Sequence, residues 1–113
     1  MTKIIGKKHL EKLKRKSKGN LPLGNAIDAL IEVIEASNWH NKLEITKART
    51  DADCIYEDFY FFDIKAQRTL ILFEFDENAA TIVWCGNHDA YETTFKNNKD
   101  SVKKWLSNNG FIE

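Results

Sequence analysis

Three apolar, aromatic-rich runs follow one another with only short polar breaks between them: Tyr56–Ile64, Arg68–Phe75 and Ala80–Cys85. In the first, Phe59, Phe61 and Asp63 alternate with Tyr60, Phe62 and Ile64. The others carry Thr69-Leu70-Ile71-Leu72-Phe73 and Thr81-Ile82-Val83-Trp84, side chains that suit a pleated, half-buried surface. Lys65-Ala66-Gln67 and Asp76-Glu77-Asn78 are short polar turns, so the three runs are expected to pair as a meander of antiparallel hairpins.

A sheet of this kind needs its apolar face covered, and the flanking sequence supplies helices. Gly6 to Ser17 reads as a basic helix with a thin apolar stripe of Leu10 and Leu13, ended by Lys18-Gly19-Asn20 with a glycine suited to a left-handed cap. Pro22 fits the start of a second helix running to about Ser37, in which Ala26, Ile27, Leu30, Ile31, Val33 and Ile34 recur at spacings of three and four. Thr2–Ile5 is a candidate edge strand and Leu43–Ala48 a weak strand. Asp100 is expected to cap a last helix through Ser107, packing Val102, Trp105 and Leu106, with Gly110 stopping it. The order predicts a single α+β domain over residues 1–113. A helical hairpin packs on an antiparallel meander, and a short helix closes the chain. With 113 residues, 42% apolar content and three tryptophans, it can bury a core without metal or disulfide support.

Composition narrows the function classes. No apolar run is long enough to cross a membrane, and the N-terminal residues lack the apolar core of a secretory signal. Cys54 and Cys85 are too few for a disulfide framework and lie among apolar residues, which predicts reduced, buried thiols and a cytoplasmic protein. Formal net charge is zero but unevenly spread. Lys3, Lys7, Lys8, Lys12, Lys14, Arg15, Lys16 and Lys18 face only Glu11, whereas Asp51, Asp53, Glu57, Asp58 and Asp63 reverse the balance further on. The basic segment reads either as a solvated helix face or as a surface for a polyanion or acidic partner. Cys85-x-x-His88 lacks the second ligand pair that structural zinc wants, so no metal is expected. Neither a phosphate-cradling Gly-rich loop nor a nucleophile elbow is present.

Chemistry-bearing residues concentrate in Trp84-Cys85-Gly86-Asn87-His88-Asp89-Ala90-Tyr91-Glu92, where the last apolar run meets solvent. Histidine is the residue type that both gives and takes a proton near neutral pH. If the chain turns helical here, the spacing of His88, Tyr91 and Glu92 puts all three on one face. Tyr91 suits proton donation or stacking, and Glu92 or Asp89 suits orienting the imidazole. Arg68 offers a planar fork for two phosphate oxygens. Each also has a structural reading: His88 as a strand-end hydrogen bonder, Tyr91 as a cover for the sheet edge, Arg68 as a cross-strand partner of Asp63 or Glu74.

Phe62-Asp63-Ile64, the strand opening with Arg68, and Gly86-Asn87-His88-x-x-Tyr91-Glu92 together resemble the HigB-type toxins of the RelE superfamily, whose members show Phe-Asn-(Ile/Val), an arginine opening an apolar strand, and a (Gly)-Thr-His-x-x-Tyr-Asp ending. The resemblance implies a RelE-like fold. It also implies a ribosome-associated messenger RNA endonuclease that uses the RNA's own 2′-hydroxyl and no metal or cofactor. His88, Tyr91, Arg68 and Glu92 would be catalytic, with Lys65, Lys47, Lys7 and Lys8 holding RNA phosphates. The partner it implies is a small helix-turn-helix antitoxin of the HigA type, whose complex represses its own operon. Two departures stand out: the chain is neutral where such toxins are basic, and Val83 stands where many carry a strand arginine. These motivate an alternative, a RelE-fold binding module that has lost cleavage and works through a protein partner. DNA binding by the basic helix alone ranks behind both.

Overall fold

The computed structural model describes residues 1–113. Its central element is a five-stranded mixed sheet in the order β1-β5-β4-β3-β2. β3 (Phe59–Ile64), β4 (Gln67–Glu74) and β5 (Ala79–Asn87) form the expected antiparallel meander. Lys65 and Ala66 both take positive φ, the two-residue turn whose twist matches that of the flanking strands. Past β4, a single 3-10 turn over Phe75–Glu77 and a left-handed Asn78 reverse the chain.

Two strands extend the meander at its edges. β1 (Lys3–Ile5) pairs parallel to β5, with Ile4 opposite Ala80, which makes the sheet mixed rather than wholly antiparallel. β2 (Asp53–Tyr56) pairs with β3, so the run expected as one strand from Tyr56 turns back at Glu57, where φ is positive.

Helices cover both faces. α1 (Lys7–Lys16), α2 (Leu21–Ala36) and α3 (Lys42–Ala48) bury Leu10, Leu23, Ile27, Leu30, Ile34 and Ile45 against Tyr60, Phe62, Ile64, Ile71, Phe73 and Ile82. On the other face α4 (His88–Phe95) and α5 (Lys99–Asn108) bury Tyr91, Phe95, Val102 and Leu106 against Phe59, Phe61, Leu70 and Val83. The strict alternation of β3 explains the division: successive aromatic side chains go to opposite cores.

Leu43–Ala48, expected as a strand, is helical. Asn41 accepts from the Glu44 amide at 3.0 Å, while Glu44 accepts from the His40 amide at 2.8 Å, and these two end contacts set the first turn. Asn98, not Asp100, caps α5, its Oδ1 accepting from the Asp100 and Ser101 amides at 2.7 and 3.3 Å. Both cysteines are free thiols and only half-buried. No helix is long and apolar enough to cross a membrane.

One irregularity decides where the last strand points its side chains. Between Leu70 and Ile71 the register against β5 slips, so Val83 is an extra residue. This bulge puts Val83 and Trp84 on the same face and returns Cys85 to the α1 side.

Candidate active site

Register brings the candidate residues together at one end of the sheet. Asp63 lies opposite Arg68 across the β3–β4 hairpin, and Arg68 lies opposite Gly86 on β5. β5 ends one residue later at Asn87, whose side chain accepts from the Ala90 amide at 2.8 Å and starts α4 directly at His88. The same cap that ends the strand therefore sets His88 beside the row holding Arg68.

Arg68 is fixed on three sides. Its Nε donates to Asp63 Oδ1 at 2.9 Å, which selects Asp63 over Glu74 as the cross-strand partner. Its guanidinium carbon sits 5.2 Å from the centre of the Phe61 ring and 4.8 Å from that of Tyr91, so the cation is packed against two aromatic rings. Partial burial works against the charge. The Asp63 bond and the negative groups around it outweigh that and raise the guanidinium's pKa above its ordinary value. The terminal nitrogens make no hydrogen bond within the chain. Arg68 lines a depression of about 480 Å³ together with Asp63, Ala66, Gln67 and His88.

Asp63 is itself held from behind. Its amide donates to Asp51 Oδ2 at 2.9 Å and its carbonyl accepts from Arg49 at 3.2 Å. Arg49 and Asp51 complete the clasp with two bonds of 2.7 Å each, and Arg49 lies over the Phe62 ring. Burial pushes the Asp51 carboxyl up, but the Arg49 bond and the Asp63 amide bring its pKa below the usual value. Sequence reading did not mark Arg49 or Asp51 as site residues, because Asp63, which they hold, lies 14 and 12 positions away with no local pattern between them.

His88 is open to solvent, its side chain 73% exposed, with Nε2 3.8 Å from Glu92 Oε1 one turn along α4. Glu92, rather than Asp89, is the carboxylate beside the imidazole. Tyr91 shares the helix face but is only 7% exposed. Its hydroxyl donates to Asn97 Oδ1 at 3.2 Å, neither residue lining the depression, and what it offers the site is its ring against Arg68. Cys85 faces the opposite way, its thiol donating to the His9 carbonyl at 3.3 Å, so it does not join His88.

The candidate lysines are not gathered here. Lys65 is exposed in the hairpin turn and Lys47 on the last turn of α3, and neither lines the depression. Lys7 and Lys8 sit on α1 across the sheet, and Lys7 is bound to Glu35 at 2.9 Å. Val83, in the strand position where an arginine would serve the site, is 7% exposed within the α4–α5 core.

A solvent-open imidazole and an arginine with unused donors, set around one small depression, can move a proton and hold an oxyanion at the same point. No curated protein gives a significant match to the chain. A family model described as HigB toxin, the RelE-like toxic component of a toxin–antitoxin system, matches residues 24–94, a span that includes Arg68, His88, Tyr91 and Glu92. With well over half of its length so matched, the chain belongs to the HigB family of RelE-like toxins, the toxic components of toxin–antitoxin systems.

Proposed function

We propose that this toxin is a ribosome-associated messenger RNA endonuclease, acting in the cytoplasm and restrained by a HigA-type helix-turn-helix antitoxin. The observation that carries the reading is the depression that Arg68 and His88 line together, with only the Nε of Arg68 hydrogen-bonded within the chain. His88 takes the proton of an RNA 2′-hydroxyl, and the 2′-oxygen attacks the adjacent phosphorus. Arg68 donates to the non-bridging oxygens as negative charge builds on them. The 5′-oxygen leaves with a proton from water, giving a 2′,3′-cyclic phosphate and a 5′-hydroxyl end, and His88 returns its proton to solvent. Glu92 steadies the imidazolium that forms between these steps. Tyr91 and Asp63 act as positioning residues, keeping the guanidinium aimed at the phosphate.

The test is induced expression followed by mapping of transcript ends. Growth arrest with fragments bearing 5′-hydroxyl ends is expected, abolished by His88→Ala and reduced by Arg68→Ala. A second reading, a RelE-fold module that acts by binding a protein, draws on the buried Val83 and on the hold of Asp63 over Arg68. Undisturbed growth and intact transcripts alongside folded wild-type protein would select it.

A further inference from the structure

The cations of α1 do not all point the same way. Lys7 and Lys14 point to α2 and are neutralised there by Glu35 and Asp28, at 2.9 and 2.8 Å. His9, Lys12, Leu13 and Lys16 recur at the spacings of a single helical face, and that face looks at the end of β5. Between them runs a groove of about 270 Å³, lined by those four residues with Val83, Trp84 and Cys85. Neither Lys12 nor Lys16 forms an ion pair, and both are exposed, as is His9. α1 lies close against β5 along this groove. Gly6 starts α1 with positive φ, 3.1 Å from the Ile82 carbonyl as measured to an added Cβ, and the Cys85 thiol bonds the His9 carbonyl further along.

The strand that floors this groove is the one that delivers His88. From Cys85, the last lining residue, the chain passes through Gly86 and Asn87 to the imidazole, and no side chain on Gly86 raises a ridge between. Lys12 and Lys16 stand four residues apart, about 6 Å along the axis, a spacing that suits neighbouring phosphates. Leu13, half-buried between them, supplies an apolar surface for sugar and base edges. We propose that the α1–β5 groove is a second binding site for single-stranded RNA: Lys12, Lys16 and His9 hold the phosphates of the strand that continues past the Arg68–His88 depression around the end of β5. The site rests on the RNA-cleaving reading, but its phosphate-holding residues lie on α1, outside the residues 24–94 that the family model matches. It uses Lys12 and Lys16, whereas Lys7 has its charge committed to Glu35.

The experiment is fluorescence anisotropy with a labelled, single-stranded 2′-O-methyl RNA dodecamer, which lacks the attacking hydroxyl and so reports binding alone. Lys12→Gln/Lys16→Gln is compared with wild type and with Lys14→Gln, which removes an exposed charge that is paired with Asp28 on the α2 side. At about 0.7 of a counterion per single-strand phosphate contact, the double variant is expected to flatten the slope of log affinity against log salt by about 1.4 and to weaken binding several-fold, while Lys14→Gln changes little. Equal losses in both variants, an unchanged slope in the double variant, or no binding by wild type at low salt would each overturn the proposal. So would a double variant that keeps RNA but loses its antitoxin, since that assigns the groove to an acidic protein. Because the probe cannot be cut, a wild type that binds it through Lys12 and Lys16 yet leaves natural RNA intact would defeat the endonuclease reading while leaving the groove in place.

Discussion

Tyr91→Phe separates two roles that the sequence leaves joined. The phenol ring lies 4.8 Å from the Arg68 guanidinium and 5.2 Å from the Phe61 ring, edge to face, whereas the hydroxyl bonds only Asn97 at 3.2 Å. Phenylalanine keeps every ring contact and removes a single neutral hydrogen bond, a loss of about 0.5–1.5 kcal/mol. Asn97 is exposed, so its carbonyl recovers a water and the cost falls at the low end of that range. For a domain of this size, that corresponds to a fall in Tm of a few degrees, roughly 2–6 °C. Cleavage by the variant is expected within about threefold of wild type, since proton transfer by a positioned side chain contributes about 10²–10⁴-fold and the phenol does not supply it. Tyr91→Leu instead removes the ring from Arg68, and is expected to lose both several degrees of Tm and most of the cleavage. The assays are differential scanning fluorimetry and single-turnover cleavage of a transcript on ribosomes. A Tyr91→Phe protein that melts like wild type but cleaves a hundredfold more slowly would refute this reasoning and make the phenol the proton donor.

Asp51→Asn breaks the charged clasp behind Asp63 and is expected to cost about 1.5–3 kcal/mol at neutral pH, measured by urea unfolding. The folded carboxyl has a lowered pKa, so the stability it contributes is present above the unfolded value and is lost as pH falls through the folded one. The gap between wild type and variant should therefore narrow below about pH 4, and a constant gap would show that the loss is not one of charge. Gly86→Ala places a methyl 2.9 Å from the Trp84 ring and 3.2 Å from the Ala90 Cβ, for an expected loss of about 1–3 kcal/mol in the same assay. Phe95→Ala empties a fully buried site ringed by Phe61, Trp84, Tyr91 and Trp105, at an expected cost of about 3–5 kcal/mol.

The meander and α2 were legible because each is a long, regular pattern: alternation in β3, three-and-four spacing in α2. α3 was missed although its end signals were present. Asn41 and Glu44 stand three apart as a helix start requires, but Lys42–Ala48 is too short for its apolar residues to show a period, and of these only Ile45 is buried. β1's pairing with β5 joins residues more than seventy positions apart, so no local pattern marks it. At the site, the nearness of Arg68 and His88 follows from counting residues back from the hairpin turn, so it was accessible through strand register. What each side chain does there was not. Asp63 and Glu74 were equal partners for Arg68 until geometry favoured the one directly opposite. The rotation that gives Tyr91's ring to Arg68 and its hydroxyl to Asn97 depends on a left-handed turn at Lys96 and Asn97 that begins after the motif ends. The Val83 bulge likewise arises from pairing, not from propensity, and it sends that position into the core.

The proposed cleavage requires that one phosphate be gripped by Arg68 while His88 stands beside it. Side-chain NMR of the ¹⁵N-labelled toxin, titrated with an uncleavable 2′-O-methyl dinucleotide, tests it most directly. The Arg68 guanidinium and His88 ring signals should move together along one saturation curve, and Asp63→Ala should weaken both responses in step. Movement of the histidine with a silent Arg68, or two curves with different midpoints, would contradict it.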